Sequence, residues 1–213
     1  MLNLLLTFLT SLLLGMRHAT DPDHIIAVST IVSRERSVGK AAGIGAVWGL
    51  GHTLTIFLVG GAIILFQLAF TPRLGLSMEF TVAMMLVVLG ALNLWRVGPA
   101  TRPIPSLPPF IVGVVHGLAG SAAATLLILP LIREARWAVA YLLVFGVGTV
   151  VGMTLVTFAI AAPSVYAAER LGSLQRGVRA VSGAVSLAFG LYLAWKIGFV
   201  DGLFTSHPTW TPG

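Results

Sequence analysis

Six long apolar stretches, each long enough to cross a bilayer as a helix, dominate this sequence of 213 residues. A helical crossing needs about 20 mainly apolar residues. We place the six stretches at Leu2–Val32, Ala41–Phe70, Ser77–Val97, Phe110–Ile132, Trp137–Ala162 and Val178–Phe199. Only 9% of the residues are charged and 57% are hydrophobic, whereas soluble domains carry about 25% charged residues. The sequence therefore predicts an all-α membrane protein with six transmembrane helices.

Short matches between the two halves predict an internal repeat. Gly15 and His18 recur as Gly113 and His116, at an offset of 98 residues. Two further matches pair 49–51 with 146–148 and 89–98 with 189–198. We divide one membrane domain, residues 1–213, into repeat one (1–98), a Pro-rich connector (99–109), repeat two (110–200) and a short polar tail (201–213). Three spans in each half predict a 3+3 inverted repeat, which is typical of transporters.

The basic residues that flank the spans predict the orientation of the chain. One side would carry Arg34, Arg36, Lys40, Arg96, Arg102, Arg170, Arg176 and Arg179, and the other Arg73, Arg133, Arg136 and Lys196. Basic loops stay in the cytoplasm, so we expect both termini outside it, in a bacterial or archaeal cell (inner) membrane. The net charge of +6 then belongs to loops that face anionic lipid. No basic cluster is interleaved with aromatic residues, which argues against nucleic-acid binding.

An unusual group of ionisable residues, Arg17-His18-Ala19-Thr20-Asp21-Pro22-Asp23-His24, interrupts the first apolar stretch. Ionisable groups inside a span are costly and indicate function. On a straight helix, His18 would point about 140° away from Asp23 and about 120° away from His24. Pro22 predicts a break in the helix, which would let the side chains of His18, Asp23 and His24 converge. Two imidazoles and one or two carboxylates, with Asp21 as the second, would suit a metal ion; a hydrogen-bonded kink is the alternative.

Four other polar residues lie in or beside predicted spans. His52, in the second span, is a further candidate ligand or a group that orients one; the alternative is a hydrogen-bonded histidine between helices. His116 is the repeat counterpart of His18 and faces either the transport pathway or a helix crossing. For Asn93 we favour a hydrogen bond between helices. For Arg17 we favour a counter-ion or interfacial role, because guanidinium stays protonated.

The side chains available restrict the kind of metal. Cysteine is absent, which excludes thiolate ligands and disulfides. Imidazole combined with carboxylate suits Ni²⁺, Co²⁺, Zn²⁺ or Cu²⁺, while Mg²⁺ and Ca²⁺ prefer oxygen ligands alone. Residue chemistry leaves these four metals open.

The segment His18-x4-Asp23-His24 resembles the signature of the nickel/cobalt transporter (NiCoT) permease family, and Leu50-Gly51-His52-Thr53 is similar to that family's second motif. The resemblance implies a permease in which the first segment lies in a span and is required for transport, with Ni²⁺ or Co²⁺ as cargo. Pro22 stands where the family usually has Ala, Ala27-Val28-Ser29-Thr30 replaces the family's usual continuation, and the spans are fewer. These features resemble a compact branch of urease-accessory and high-affinity nickel-transport proteins.

We therefore predict a permease, not an enzyme, that moves a divalent transition-metal ion by alternating access and needs no cofactor. The expected metal site comprises His18, Asp23, His24 and His52, with Asp21, His116, Asn93 and Arg17 as supporting residues. The expected partners are the metal ion and the lipid bilayer, with a homo-oligomer left open. The alternatives are an exporter of metals or small solutes, a membrane subunit that hands metal to a maturation system, and an acyltransferase-like enzyme built on His18-x4-Asp23.

Overall fold

The computed structural model describes residues 2–33, 35–67, 71–95, 108–128, 132, 134–170 and 174–210. All regular secondary structure in these ranges is helical. The helices are α1 (Leu2–His18), α2 (Pro22–Val32), α3 (Val38–Thr55), α4 (Gly61–Phe66), α5 (Pro72–Trp95), α6 (Pro109–Ile128), α7 (Ala135–Arg170) and α8 (Leu174–Trp195). Two π-helical stretches, Ile56–Gly60 and Lys196–Val200, continue α3 into α4 and extend α8. The predicted residues 99–107 of the connector, together with Arg34, Arg96, Arg102 and Arg133, lie outside these ranges.

Four helices in the described ranges are long and apolar enough to cross a membrane. They are Val38–Phe66, Pro72–Trp95, Ala135–Tyr166 and Arg176–Val200, and shorter apolar helices cover Leu5–His18, Pro22–Val32 and Pro109–Gly120. The prediction of an all-α membrane protein is thereby confirmed. The number of six spans and the inverted repeat stay predictions.

The first apolar stretch is broken beside Pro22, where the sequence predicts a break. α1 ends at His18 and α2 begins at Pro22. Asp21 between them has an extended backbone, with φ −62° and ψ 147°, the conformation favoured before proline. Pro22 takes the first position of α2, where its missing N–H leaves no helical hydrogen bond unmade. The break places His18 at the end of one helix and Asp23 and His24 at the start of the next.

Three helix pairs cross so closely that glycine is required at each contact. The pairs are α1 with α7, α3 with α6, and α5 with α8. A Cβ atom on any of these glycines would collide with the backbone of the facing helix: Gly15 with Phe145, Gly148 with Leu12, Gly51 with Phe110, Gly113 with Trp48, Gly90 with Leu187 and Gly190 with Val87. Small residues permit this close backbone contact within membranes. The crossing of α3 and α6 brings His52 and His116 to neighbouring positions.

The last described residues, 201–210, fold back against the ends of α5 and α8. The indole ring of Trp210 lies against Gly75, and its Nε1 donates a hydrogen bond of 2.7 Å to Glu79 Oε1. Gly202 makes the turn with φ +86°, a value that glycine adopts without steric cost. The described part of the predicted polar tail, residues 201–210, is therefore packed onto the helices.

Candidate metal centre

Four histidine rings form one compact cluster, which we call the histidine cluster. The rings belong to His18 at the end of α1, His24 at the start of α2, His52 on α3 and His116 on α6. The distances between ring centroids range from 4.0 Å for His24 and His116 to 5.8 Å for His52 and His116. His24, His52 and His116 are buried, with at most 1% of their surface exposed. Three separate segments of the chain thus bring four imidazoles to one buried point.

Within the cluster, His18 and His52 point their Nε2 atoms at each other across 3.2 Å. The other ring nitrogen of His18, Nδ1, lies 2.7 Å from Asp21 Oδ2. A hydrogen bond donated from Nδ1 to this carboxylate leaves the lone pair of His18 on Nε2, the tautomer required of a metal ligand. The pair therefore offers one oriented ligand atom facing a second imidazole nitrogen.

Asp23 holds the other two histidines from one carboxylate. Its Oδ1 lies 3.1 Å from His24 Nδ1 and accepts the His24 backbone N–H at 3.0 Å. Its Oδ2 lies 2.8 Å from His116 Nε2. If both rings donate to Asp23, lone pairs remain on His24 Nε2 and His116 Nδ1. These two nitrogens are buried and have no hydrogen-bond partner among the described residues.

Two groups of three potential ligands can be drawn from these residues. One consists of His18, His24 and His52, and the other of Asp23, His24 and His116. In each group one ligand atom per residue lies within 4.8 Å of the others. The first group offers three imidazoles, and the second two imidazoles and a carboxylate. Both compositions suit divalent transition metals.

Gly120 on α6 leaves space beside the facing nitrogens of His18 and His52. A Cβ atom at this position would lie 3.0 Å from His18 Nε2 and 3.3 Å from His52 Nε2. Any residue larger than glycine would therefore press on both potential ligand atoms. The absence of a side chain keeps open a place next to the two nitrogens.

Aromatic rings wall the cluster. The Trp48 ring lies 5.5 Å from the ring of His24 and 5.6 Å from that of His116. Phe145 on α7 lies 5.7 Å from His18. These walls lower the local dielectric, which strengthens the interaction of a cation with oriented ligands. They also leave one side of the cluster for access.

That side is a cavity of about 490 Å³. It is lined by His18, His24 and His116 of the histidine cluster, by Asp23 beside them, and by Glu79 and Lys196 further away. The Lys196 ammonium donates a hydrogen bond of 2.9 Å to Asp201 Oδ2. Asp21 also lines the cavity, and 47% of its side chain is exposed. The cavity joins the histidine cluster to the α5 and α8 helix ends on which the C-terminal residues pack.

Most of the predicted site residues lie together. His18, His24, His52 and the supporting residue His116 form the histidine cluster. Asp23 and the supporting residue Asp21 contact its rings. The two other supporting residues lie elsewhere. Asn93 is buried between α2, α5 and α8, as expected of a hydrogen bond between helices. The side chain of Arg17 is exposed and makes no ion pair within the described part of the chain.

Sequence reasoning missed three groups that shape the site: the Trp48 ring, the open position at Gly120, and Glu79 with Lys196 in the cavity. Trp48 lies one helical turn before His52, so its spacing places both residues on one face of α3. This spacing could have identified Trp48. Gly120 and the cavity residues carry no comparable local signal, because only the packing of α5, α6 and α8 brings them to the site.

Comparison with known proteins gives three curated relatives. The chain is 34% identical to the urease accessory protein UreH of Bacillus sp. (strain TB-90), over 94% of this chain and 96% of the relative. It is 29% and 27% identical to the chloroplast proteins FOR GROWTH AND FERTILITY 1 and 2 of Arabidopsis thaliana, over 85% of this chain. The chain spans only 57% and 54% of those two plant proteins.

Two further comparisons give no match. No protein-family model matches the sequence, and no solved structure matches it. The alignment with UreH leaves only a few residues of either protein uncovered. At 34% identity over nearly the whole of both proteins, the chain belongs to the family of the urease accessory protein UreH.

Proposed function

We propose that this protein is a membrane permease for a divalent transition-metal ion, Ni²⁺ or Co²⁺, and that the ion binds in the histidine cluster. In this proposal His18, His24 and His52 are the ligands through their Nε2 atoms. Asp21 holds the ring of His18, and Asp23 the rings of His24 and His116, in the required tautomers. The ion is the cargo and leaves the site during each cycle.

The observation that carries the proposal is the 3.2 Å separation of His18 Nε2 and His52 Nε2. Metal–nitrogen distances of about 2.0–2.1 Å would then give an N–metal–N angle of about 100°, between octahedral and tetrahedral values. His24 Nε2, buried without a hydrogen-bond partner among the described residues, supplies a third lone pair. An unpaired buried nitrogen is costly, and a bound cation would remove that cost.

For Asp23 we propose an orienting role in place of the direct ligation suggested by the sequence. Both of its oxygens already lie within hydrogen-bonding distance of imidazole nitrogens, those of His24 and His116. Carboxylates that accept the second N–H of a ligating histidine fix its tautomer and raise its basicity. His116 then acts from repeat two as a fixed partner of Asp23.

Related contacts in the two halves support the 3+3 inverted repeat and hence transport by alternating access. The contact of Gly15 with Phe145 becomes that of Gly113 with Trp48 when the residue numbers are shifted by 98 and 97. At an offset of 100, the contact of Gly90 with Leu187 becomes that of Gly190 with Val87. The α1–α7 crossing therefore corresponds to the α3–α6 crossing, and the α5–α8 crossing corresponds to itself, an arrangement in which two equivalent units can rock about a central site.

The contacts of His18 and His116 are related by the same shift in residue number. The ring of His18 lies 5.7 Å from Phe145, and the ring of His116 lies 5.6 Å from Trp48. In both halves a histidine of the first span contacts an aromatic ring of the second span of the other half. These contacts support a site at the interface between the proposed repeats, where inverted-repeat transporters bind their cargo.

Two comparisons favour nickel or cobalt over the other metals. The motif His18-x4-Asp23-His24 resembles the signature of the NiCoT permeases, and the relative that covers nearly the whole chain is named as an accessory protein of urease. We propose that this chain provides metal for a dedicated enzyme. The loop charges support a cell-membrane location with both termini outside the cytoplasm.

Two alternative functions, an acyltransferase-like enzyme and a subunit that hands metal to a partner, differ from this proposal in what they require of the site or of the ion. In an acyltransferase-like enzyme, Asp23 would orient His18, but the nearest carboxylate to His18 Nδ1 belongs to Asp21. A subunit that only hands metal to a partner would bind the ion without moving it. Export and uptake use the same site and differ in direction alone.

The proposal is tested by calorimetry and by flux into liposomes with Ni²⁺, Co²⁺ and Zn²⁺. We expect His24→Ala to abolish both binding and flux, since it removes a ligand from a three-imidazole site. His207→Ala is the matched control because His207 is exposed in the C-terminal segment. Binding without flux in the wild-type protein would favour the handover subunit. Equal binding by wild type and His24→Ala would overturn the site.

A further inference from the structure

The crossing of α5 and α8 has two ends that are related by the offset of 100 residues but differ in packing. At one end Val82, Phe189 and Leu193 line the cavity that reaches the histidine cluster. Their counterparts at the other end are Ser182, Leu89 and Asn93. Leu89 and Asn93 are buried there, with 7% and 4% of their surface exposed, while Phe189 and Leu193 are half-buried. Val82 is itself only 3% exposed and Ser182 is half-buried, so the two ends differ in the cavity and not in every side chain. Among the described residues, we call the end that lines the cavity open and the other end sealed.

Hydrogen bonds that join the end of α2, α5 and α8 close the sealed end. Asn93 Nδ2, on α5, lies 3.3 Å from Ser33 Oγ, 3.1 Å from Ser182 Oγ and 3.1 Å from the Arg179 carbonyl oxygen. The Thr30 hydroxyl shares its proton between the Ile26 carbonyl oxygen of its own helix, at 2.9 Å, and that of Ser182, at 3.2 Å. Both serine hydroxyls donate within their own segments, so their oxygens are free to accept from the Asn93 amide. We call these four side chains, Thr30, Ser33, Asn93 and Ser182, the seal.

The helix that closes the seal also carries a proposed metal ligand. His24 lies in the first turn of α2 and Ser33 directly follows its end. About 13 Å separates the two positions at 1.5 Å per residue. The break beside Pro22 disconnects α2 from α1, so α2 can tilt as a unit. A tilt that breaks the seal would move His24 relative to His18 and His52.

We propose that the seal is the closed gate of a second access route to the histidine cluster, and that α2 couples the gate to the metal site. The proposal rests on the proposed transport function. In the structure, the cluster is accessible from the Glu79 side and sealed on the Asn93 side. Release of α2 from α5 and α8 opens the second side, and the accompanying shift of His24 weakens the binding of the ion. Leu193 replaces Asn93 at the related position, so the corresponding amide bonds are absent from the open end.

The chain has no cysteine, which allows the gate to be tested by single-cysteine labelling without metal. Leu89→Cys reports on the sealed end and its counterpart Phe189→Cys on the open end. We expect a water-soluble methanethiosulfonate to modify Phe189→Cys readily and Leu89→Cys slowly. Adding Thr30→Val or Asn93→Leu should raise the labelling rate of Leu89→Cys about tenfold, because each removes polar contacts of the seal. The control is Thr157→Val, since Thr157 is equally buried and donates within its own helix.

A reversible cross-link tests the coupling. Ser33→Cys combined with Asn93→Cys pairs two side chains that already touch. Oxidation should abolish Ni²⁺ flux while Ni²⁺ binding persists, and a phosphine reductant should restore flux. Flux that continues in the oxidised protein, or seal variants that leave Leu89→Cys labelling unchanged, would overturn the gate. If wild type binds no Ni²⁺ but the labelling pattern holds, the metal assignment fails and the gate stands.

Discussion

The carboxylate of Asp23 joins the two halves of the protein, because its Oδ2 lies 2.8 Å from His116 Nε2. Asp23 lies in the N-terminal half of the chain and His116 in the C-terminal half, and 93 residues separate them. The remaining oxygen of Asp23 contacts His24. One side chain therefore fixes a proposed ligand and ties it to the helix that crosses α3.

Replacing Asp23 separates ligation from orientation. We expect Asp23→Asn to weaken Ni²⁺ or Co²⁺ binding about 10–100-fold without abolishing it, the usual effect of removing a partner behind a ligating histidine. Calorimetry on detergent-solubilised protein measures this. Asp201→Asn serves as the control, since Asp201 pairs with Lys196. A loss as complete as that of His24→Ala would show that Asp23 binds the ion directly.

Filling the space at Gly120 should block the site while the protein remains folded. Gly120→Ala places a methyl group about 3 Å from the Nε2 atoms of His18 and His52, in the space that the proposed ion would occupy. We expect metal affinity to fall at least tenfold, with little change in thermal unfolding. Gly43→Ala is the control, because a Cβ there meets nothing within 4 Å. Unchanged affinity in Gly120→Ala would place the ion elsewhere in the cluster.

The close crossing of α3 and α6 should be sensitive to a single methyl group. Gly113→Ala would force its Cβ against the carbonyl oxygen of Trp48, so the helices must separate. Overpacking of this kind costs about 1–3 kcal/mol, and we expect a lower unfolding temperature together with weaker metal binding, because His52 and His116 move apart. Gly43→Ala should instead match or exceed wild-type stability. Wild-type stability in Gly113→Ala would contradict the crossing.

The packing of the C-terminal segment is tested at Trp210. Trp210→Phe keeps most of the ring that lies on Gly75 and removes the N–H that binds Glu79. We expect a loss of about 1 kcal/mol in the free energy of unfolding, measured by thermal or denaturant unfolding. Metal affinity should stay at the wild-type value, because the ring lies against Gly75 and its N–H binds Glu79, and neither residue is a proposed ligand. A large drop in affinity would mean that this segment shapes the cavity.

The prediction of the fold rested on patterns that are local in sequence. The apolar stretches predicted helices because each satisfies its own backbone hydrogen bonds, and Pro22 predicted the break because proline disrupts a continuing helix. The same reasoning could not predict which end of the α5–α8 crossing opens into the cavity. That depends on which face of α5 packs against α8, and the packed face and the opposite face of α5 are both apolar.

The candidate site was only partly predictable for the same reason. The cost of ionisable groups in a span drew attention to His18, Asp23, His24 and His52. Local sequence could not tell whether a carboxylate would face a metal or an imidazole. That choice depends on His116, which lies on α6, 93 residues further along the chain, and contacts Asp23 Oδ2.

The sequence by itself determined that this is a helical membrane protein with a broken first helix and a group of ionisable residues that is energetically costly within a span. It could do so because hydrophobicity, proline geometry and the cost of buried charge act on neighbouring residues. The tertiary structure decided the rest. Glycine contacts between distant helices set which histidines meet, which nitrogens keep their lone pairs, and which end of the α5–α8 crossing is open. Such contacts depend on shape complementarity between segments 59 to 136 residues apart, which no local pattern encodes.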